Sequence, residues 1–283
     1  MKKLLLFLFI ILFFSSFAQP KGHLVIIGGG ERTQKIMQKI VDLAGGTDSK
    51  YMVIPNASSE PEETGKYHAD EFRNLGCKNV DYLVVDSLNV NDDMTIEKFD
   101  DVKCIFFSGG DQSRLTKYLL NTKLLKKIKD IYAEGGVISG TSAGAAVMSK
   151  IMITGDELLN KDSTVAYNTI LKGNVVHTEG FGFVQNAIID QHFIKRKRNN
   201  RLLSLVLEFP EKLGIGIDES TAAIIYPDGI LEVLGESQVL IFDAAHSKNI
   251  RVKEDNKLSA SGIVLHVLSS GQKFDLNKKV VIE

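Results

Sequence analysis

From His23 onward, short unbroken apolar runs alternate with longer stretches in which apolar residues recur every three to four positions. The first pattern predicts strands buried on both faces, and the second predicts amphipathic helices. Strands are expected at 24–27, 51–54, 80–85, 104–107 and 136–139. Helices are expected at 33–43, 61–75 and 114–133, the last interrupted near Asn121, and Pro61 suits the first turn of its helix. Strands one, four and five each run into a glycine-bearing turn: Gly28-Gly29-Gly30, Ser108-Gly109-Gly110-Asp111 and Gly140-Thr141-Ser142-Ala143-Gly144. Repeats of this kind build an α/β fold with a mostly parallel sheet and helices on both faces. The three turns then share the edge beyond the carboxyl ends of the strands, where such sheets bind ligands. Beyond Leu213 the texture changes to short strand pairs with tight turns, such as 221–226, Pro227-Asp228-Gly229 and 230–234, predicting a C-terminal antiparallel extension of the same domain.

The N-terminus departs from this pattern. Met1-Lys2-Lys3 precedes an unbroken apolar run over 4–14, and small residues follow at Ser15, Ser16 and Ala18. The run is shorter than the ~18–20 residues that cross a bilayer. A basic start, a short apolar run and a small-x-small exit predict a secretory signal peptide over 1–18, cleaved after Ala18. The expected location is therefore secreted or periplasmic, with no lasting membrane anchor and one folded domain over 19–283. In the whole chain 34 Lys and Arg face 35 Asp and Glu, and loss of Lys2 and Lys3 leaves 32 against 35, a formal −3. That balance argues against a nucleic-acid-binding surface. Two cysteines exclude a disulfide scaffold or a Cys-rich zinc module, and apolar neighbours predict buried free thiols at Cys77 and Cys104, with a single disulfide between them as the alternative in an oxidising compartment.

Gly140-Thr141-Ser142-Ala143-Gly144 matches G-x-S-x-G where a strand meets a helix. A nucleophilic serine needs a sharp turn that lifts its hydroxyl clear of the backbone, with small neighbours that let strand and helix approach. The amide of the next residue, Ala143, then faces a developing oxyanion. A serine also needs a base. Of six histidines, His23 and His68 come early and His246 and His266 fall in the strand-rich tail, leaving His177 and His192. His192 follows the apolar run 187–189, so it is expected at the same sheet edge. The run 214–217 ends in Asp218-Glu219, and either carboxylate suits the third position. The order serine, histidine, acid differs from that of α/β-hydrolases, where the acid precedes the histidine.

One dense basic run follows His192: Lys195-Arg196-Lys197-Arg198-Asn199-Asn200-Arg201. At helical spacing Ile194, Arg198, Arg201, Leu202 and Leu205 form one stripe, so two arginines continue the inward apolar face. Arg196 joins them only if the helix begins later. Glu31 sits at the sheet edge directly after Gly28-Gly29-Gly30, a turn that lacks the dinucleotide pattern because Thr33 occupies the sixth position. No cofactor is expected, and no His, Cys or carboxylate grouping has metal-ligand spacing.

Together, Phe107-Ser108-Gly109-Gly110-Asp111-Gln112, Gly140-Thr141-Ser142-Ala143-Gly144-Ala145, Asp190-Gln191-His192-Phe193 and Gly214-Ile215-Gly216-Ile217-Asp218-Glu219 resemble the cyanophycinases, serine peptidases related to aspartyl dipeptidase. The resemblance implies a flavodoxin-like fold of the class I glutamine amidotransferase type. It implies Ser142 as nucleophile, His192 as base and Glu219 as orienting acid, with Gly110, or Gly109 beside it, joining Ala143 in the oxyanion hole. It further implicates Gln112, Asp190, Gln191, Arg196, Arg198 and Arg201 in substrate binding, and implies a homodimer. The implied substrate is cyanophycin, a poly-aspartate with arginine on each β-carboxyl, released as β-aspartyl-arginine. A peptidase for small aspartyl peptides and a non-catalytic binding module are the competing expectations.

Overall fold

A computed structural model describes residues 20–159 and 167–282; the expected signal peptide over 1–18 lies outside the described residues. The first half runs β1 (His23–Ile27), α1 (Gln34–Leu43), β2 (Lys50–Ile54), α2 (Pro61–Asn74), β3 (Asn79–Tyr82), α3 (Asp93–Glu97), β4 (Val102–Phe107), α4 (Gln112–Leu119), α5 (Lys123–Ala133), β5 (Val137–Thr141) and α6 (Ala143–Ala146). The second half contributes β6 (Ile151–Glu157), β7 (Val175–Glu179), β8 (Ala187–Gln191), α7 (Asn199–Glu208), β9 (Leu213–Ile217), β10 (Thr221–Ile225), β11 (Ile230–Gly235) and β12 (Gln238–Asp243). It closes with β13 (Lys248–Val252), β14 (Leu258–Ser261), β15 (Val264–Ser269), β16 (Lys273–Asp275) and β17 (Val280–Ile282).

Among the described residues, the largest sheet has the order β17-β16-β11-β10-β1-β5-β4-β2-β3. Its β1, β5, β4, β2 and β3 are parallel, as the apolar runs separated by helices require. β10, β11, β16 and β17 extend it antiparallel. Alternate residues of the parallel strands serve two cores. Val25, Ile27, Tyr51, Val53 and Phe106 pack with α1 and α2 on one face. Leu24, Ile26, Ile54, Ile105, Phe107 and Ile138 pack on the other with α4, α5 and α6.

The sequence pattern did not separate out a second sheet, ordered β15-β12-β9-β8. Its Ile189, Ile215, Ile217, Val239 and Ile241 join the core shared with the large sheet. Leu202, Leu205 and Val206 of α7 cover its outer face with Ile188, Phe193 and Phe242. His192 therefore follows a strand of the second sheet, and only its end reaches the edge where β1, β4 and β5 finish.

Two local expectations are corrected, and the expected break near Asn121 is found. The strand expected over 80–85 stops at Tyr82, because the Asn56 side chain takes over the pairing: its Nδ2 donates to Val85 O at 2.6 Å and its Oδ1 accepts from Val85 N at 3.0 Å. The helix expected after His192 begins only at Asn199, because His192 and Lys197 adopt left-handed φ of 50° and 52° that no helix continues through. Ile194 is consequently exposed, and the inward stripe starts at Arg201. The helical run over 114–133 divides into α4 and α5 at Asn121, whose φ is 60°. Cys77 and Cys104 are buried and unbridged.

Candidate active site

Ser142 sits between the end of β5 and the start of α6 with φ 53° and ψ −107°, a conformation L-residues rarely adopt. The glycines around it explain how so sharp a turn fits. A Cβ on Gly140 would run into the Gly144 backbone, and one on Gly144 would run into Phe107 O. The Ser142 amide donates to Ile27 O at 3.0 Å, which fastens the turn to β1. Among the described residues, the amides of Gly109, Gly110 and Ala143 make no backbone hydrogen bond outside the regular elements, and Gly109 lies against the Ser142 side chain.

The Ser142 Oγ lies 2.8 Å from His192 Nε2, and His192 Nδ1 lies 2.6 Å from Glu219 Oε1. A carboxylate oxygen only accepts, so Nδ1 carries the proton and Nε2 turns its lone pair to the serine hydroxyl. Burial pushes the His192 imidazole below its ordinary value; the Glu219 hydrogen bond opposes this, while Arg196 and Arg198 reinforce it. The net direction favours the neutral ring, the form that can accept a proton. Asp218, the other candidate acid, is turned away: its Oδ1 accepts from Lys195 N at 2.9 Å and its Oδ2 from Ser237 Oγ at 2.7 Å. It holds the loop after His192 in place.

Gly28-Gly29-Gly30 proves to be a packing surface, which the reading of the sequence missed. Gly28 O accepts from His192 N at 2.7 Å, and Gly29 O accepts from Ser220 N at 2.9 Å. A Cβ on Gly29 would overlap the His192 imidazole, and one on Gly30 would crowd the Glu219 side chain. Three successive glycines at the sheet edge were the available signal. Glu31, next in line, is exposed.

The remaining candidates divide by burial. Asp190 and Arg201 are buried, and the Arg201 guanidinium forks onto Asp190, through Nε at 2.8 Å and also through Nη2, while lying over the Tyr167 ring at 5.5 Å. Arg198 Nη1 donates to Gln191 O at 2.7 Å and Gln191 Oε1 at 2.5 Å, and sits 3.8 Å from Asp190. Burial and the neighbouring Arg201 charge pull the Arg198 guanidinium down to about 10. Two guanidinium groups thus share one carboxylate. Arg196 is exposed, with its amide bonded to His192 O at 2.9 Å. Gln112 is buried, and its Nε2 donates to Ile153 O at 2.8 Å and Thr154 O at 2.5 Å, anchoring β6 beside the site.

The model of Peptidase family S51 matches residues 24–233. The chain is 37% identical over 264 residues to a protein named cyanophycinase from Synechococcus elongatus, covering 90% of this chain and 80% of that one. It is 34% identical over 264 residues to a cyanophycinase from Geminocystis herdmanii, covering 90% and 94%. Among solved structures, a peptidase from an acI-B1 Actinobacterium shares the fold with a TM-score of 0.65 at 24% identity, over 91% of this chain and 98% of that one.

Proposed function

The chain belongs to peptidase family S51, and from that premise we propose that it hydrolyses cyanophycin to β-aspartyl-arginine through an acyl-enzyme on Ser142. The observation that carries this reading is the hydrogen-bonded line Ser142–His192–Glu219 hung on a strained serine. In the proposed reaction, Ser142 Oγ attacks the scissile carbonyl carbon as His192 Nε2 takes its proton, and Glu219 steadies the imidazolium that forms. The amides of Ala143 and of Gly110 or Gly109 receive the oxyanion. His192 then gives the proton to the departing amine, and water, activated by the same imidazole, releases the acyl group and restores the serine.

Substrate recognition follows from the charge count around Asp190. Arg198 and Arg201 together carry one more charge than Asp190 neutralises, and Arg198 is the more exposed of the two. A free α-carboxylate of the substrate, on an attached arginine or at the polymer's C-terminal end, supplies the missing anion, and Arg196 strengthens the field around His192. Asp190 and Gln191 hold this wall in shape from behind, through their bonds to Arg201 and Arg198, while Gln112 holds β6. Work on a polymer outside the cell also fits the N-terminal address, and N-terminal sequencing of exported protein checks it: a start far from Gln19 refutes the cleavage site.

The deciding experiment is product analysis after incubation with cyanophycin. The expected result is β-aspartyl-arginine from the unmodified protein and none from a folded Ser142→Ala variant. Undiminished hydrolysis by that variant overturns the mechanism, and no hydrolysis by the unmodified protein overturns the substrate.

A further inference from the structure

Outside the reacting groups, one cluster of charged and titratable side chains stands behind the Gly28-Gly29-Gly30 turn. Arg32 Nη2 and Nε reach Glu71 Oε1 at 2.9 and 3.1 Å, and Nε also lies 3.2 Å from Oε2. The guanidinium lies 5.7 Å from the centre of the Tyr67 ring and donates to its hydroxyl at 3.3 Å. Glu71 Oε2 is 2.6 Å from Nδ1 of the buried His68, whose ring packs on Phe106 of β4 at 5.0 Å. A chain of contacts therefore runs from the first residues after the triglycine turn, through α2, to the strand that leads into Gly109 and Gly110. None of these groups has a part in the proposed chemistry.

The turn needs such an anchor. Three glycines carry no side chain to pin them, and Gly29 and Gly30 adopt φ of 107° and 69°, so the segment is intrinsically the loosest kind of backbone. Yet it is the surface against which His192 and Glu219 rest. A forked arginine–carboxylate pair fixes both distance and direction, which a single contact does not. We propose that Arg32 and Glu71, backed by His68, are positioning residues that hold the 28–32 turn against His192 and Glu219 and so set the geometry of the base. This rests on the reading of His192 as the base.

Two consequences distinguish positioning from plain structural support. The pocket wall around Arg198 is untouched, so loss of the brace lowers kcat and leaves KM. It also lifts backbone cover from the imidazole. The charged groups facing that ring are Glu219 from the turn after β9, and Arg196 and Arg198 from the segment after β8; Glu31 lies exposed on the turn itself. With these unchanged and burial relieved, the ring titrates closer to its ordinary value, and the acid limb of kcat/KM moves to higher pH.

The test compares the unmodified full chain with Arg32→Lys, which keeps charge but loses the fork, and Glu71→Gln, which keeps shape but loses charge. Each is assayed on cyanophycin across the acid limb, with the folded fraction measured in parallel by near-ultraviolet circular dichroism. The expected result is a roughly 10- to 100-fold fall in kcat, the scale of a misplaced reacting group, with KM unchanged and the acid limb shifted upward. Either folded variant with kcat and acid limb unchanged overturns the proposal. So does a loss that the folded fraction accounts for in full. If Arg32→Lys does not fold, Glu71→Gln decides the matter alone. Activity of the unmodified protein and its loss in Ser142→Ala report separately on the underlying reading.

Discussion

Replacing Gly29 with alanine puts a methyl group where His192, the proposed base, now sits. An ideal Cβ at Gly29 falls 2.5 Å from His192 Nε2 and 2.8 Å from Nδ1. Non-bonded atoms settle at about 3.5–4.0 Å, so the ring must withdraw by about 1 Å. That takes the 2.8 Å Ser142 Oγ to Nε2 contact out to about 3.8 Å, beyond hydrogen-bond reach. A misplacement of this size is expected to lower kcat on the order of 100-fold. Gly29 also has φ 107°, and alanine there costs on the order of 1–3 kcal/mol in backbone strain. In a protein of this size that lowers Tm by roughly 2–12 °C. Gly46 separates the two effects, since its φ is 94° and an added Cβ meets nothing within 4 Å. Gly46→Ala should lose comparable stability and keep full activity. The assay is initial-rate release of β-aspartyl-arginine from cyanophycin, with thermal melts of both variants. A folded Gly29→Ala that keeps more than half of the unmodified kcat refutes the packing argument. Equal activity losses in the two variants refute it as well, by assigning the loss to strain alone.

Two further outcomes follow from the same geometry. Burial, more than any other cause, lowers the His192 pKa, and the proposed mechanism uses the neutral ring as base; kcat/KM should hold as pH falls to about 6.5, the ordinary histidine value, and decline only below it. An acid limb centred above that value contradicts the assignment of the base. Arg198→Ala removes the guanidinium whose charge Asp190 leaves unmatched, so KM for cyanophycin should rise roughly 10- to 100-fold, the worth of one charge-assisted hydrogen bond of about 1.5–3 kcal/mol; steady-state kinetics with unchanged KM would remove Arg198 from substrate recognition.

Much of this arrangement was legible in the residues. Apolar runs separated by amphipathic stretches marked the five parallel strands, because a strand buried on both faces has no polar alternation to hide behind. Gly140-Thr141-Ser142-Ala143-Gly144 marked the strained serine, since only small residues permit the backbone approach seen between Gly140 and Gly144. What local patterns do not carry is partnership between distant segments. The run 187–189 reads the same whether it joins the large sheet or a second one, and its pairing with β9 is decided by packing against Phe193 and α7. The choice between Asp218 and Glu219 turned on neighbours such as Lys195 and Ser237, which draw Asp218 away. The helix after His192 starts later than its pattern suggests because tertiary bonds, His192 N to Gly28 O and Lys195 N to Asp218 Oδ1, hold the segment that carries the left-handed residues at 192 and 197. The run of three glycines signalled a close approach at Gly29 and Gly30 but not what approaches, because their partners lie more than 160 residues along the chain.

On the proposed mechanism, the division of the site between two sheets makes hydrolysis depend on their docking. Ser142 hangs from the large sheet, His192 from the second, and Glu219 occupies the crossing where the chain leaves β9 for β10. A molecule whose large sheet has formed while the second remains undocked holds a poised hydroxyl with no proton acceptor beside it. On the proposed mechanism, docking of the second sheet is the step that completes the reacting group, so activity reports on that docking as well as on the serine itself.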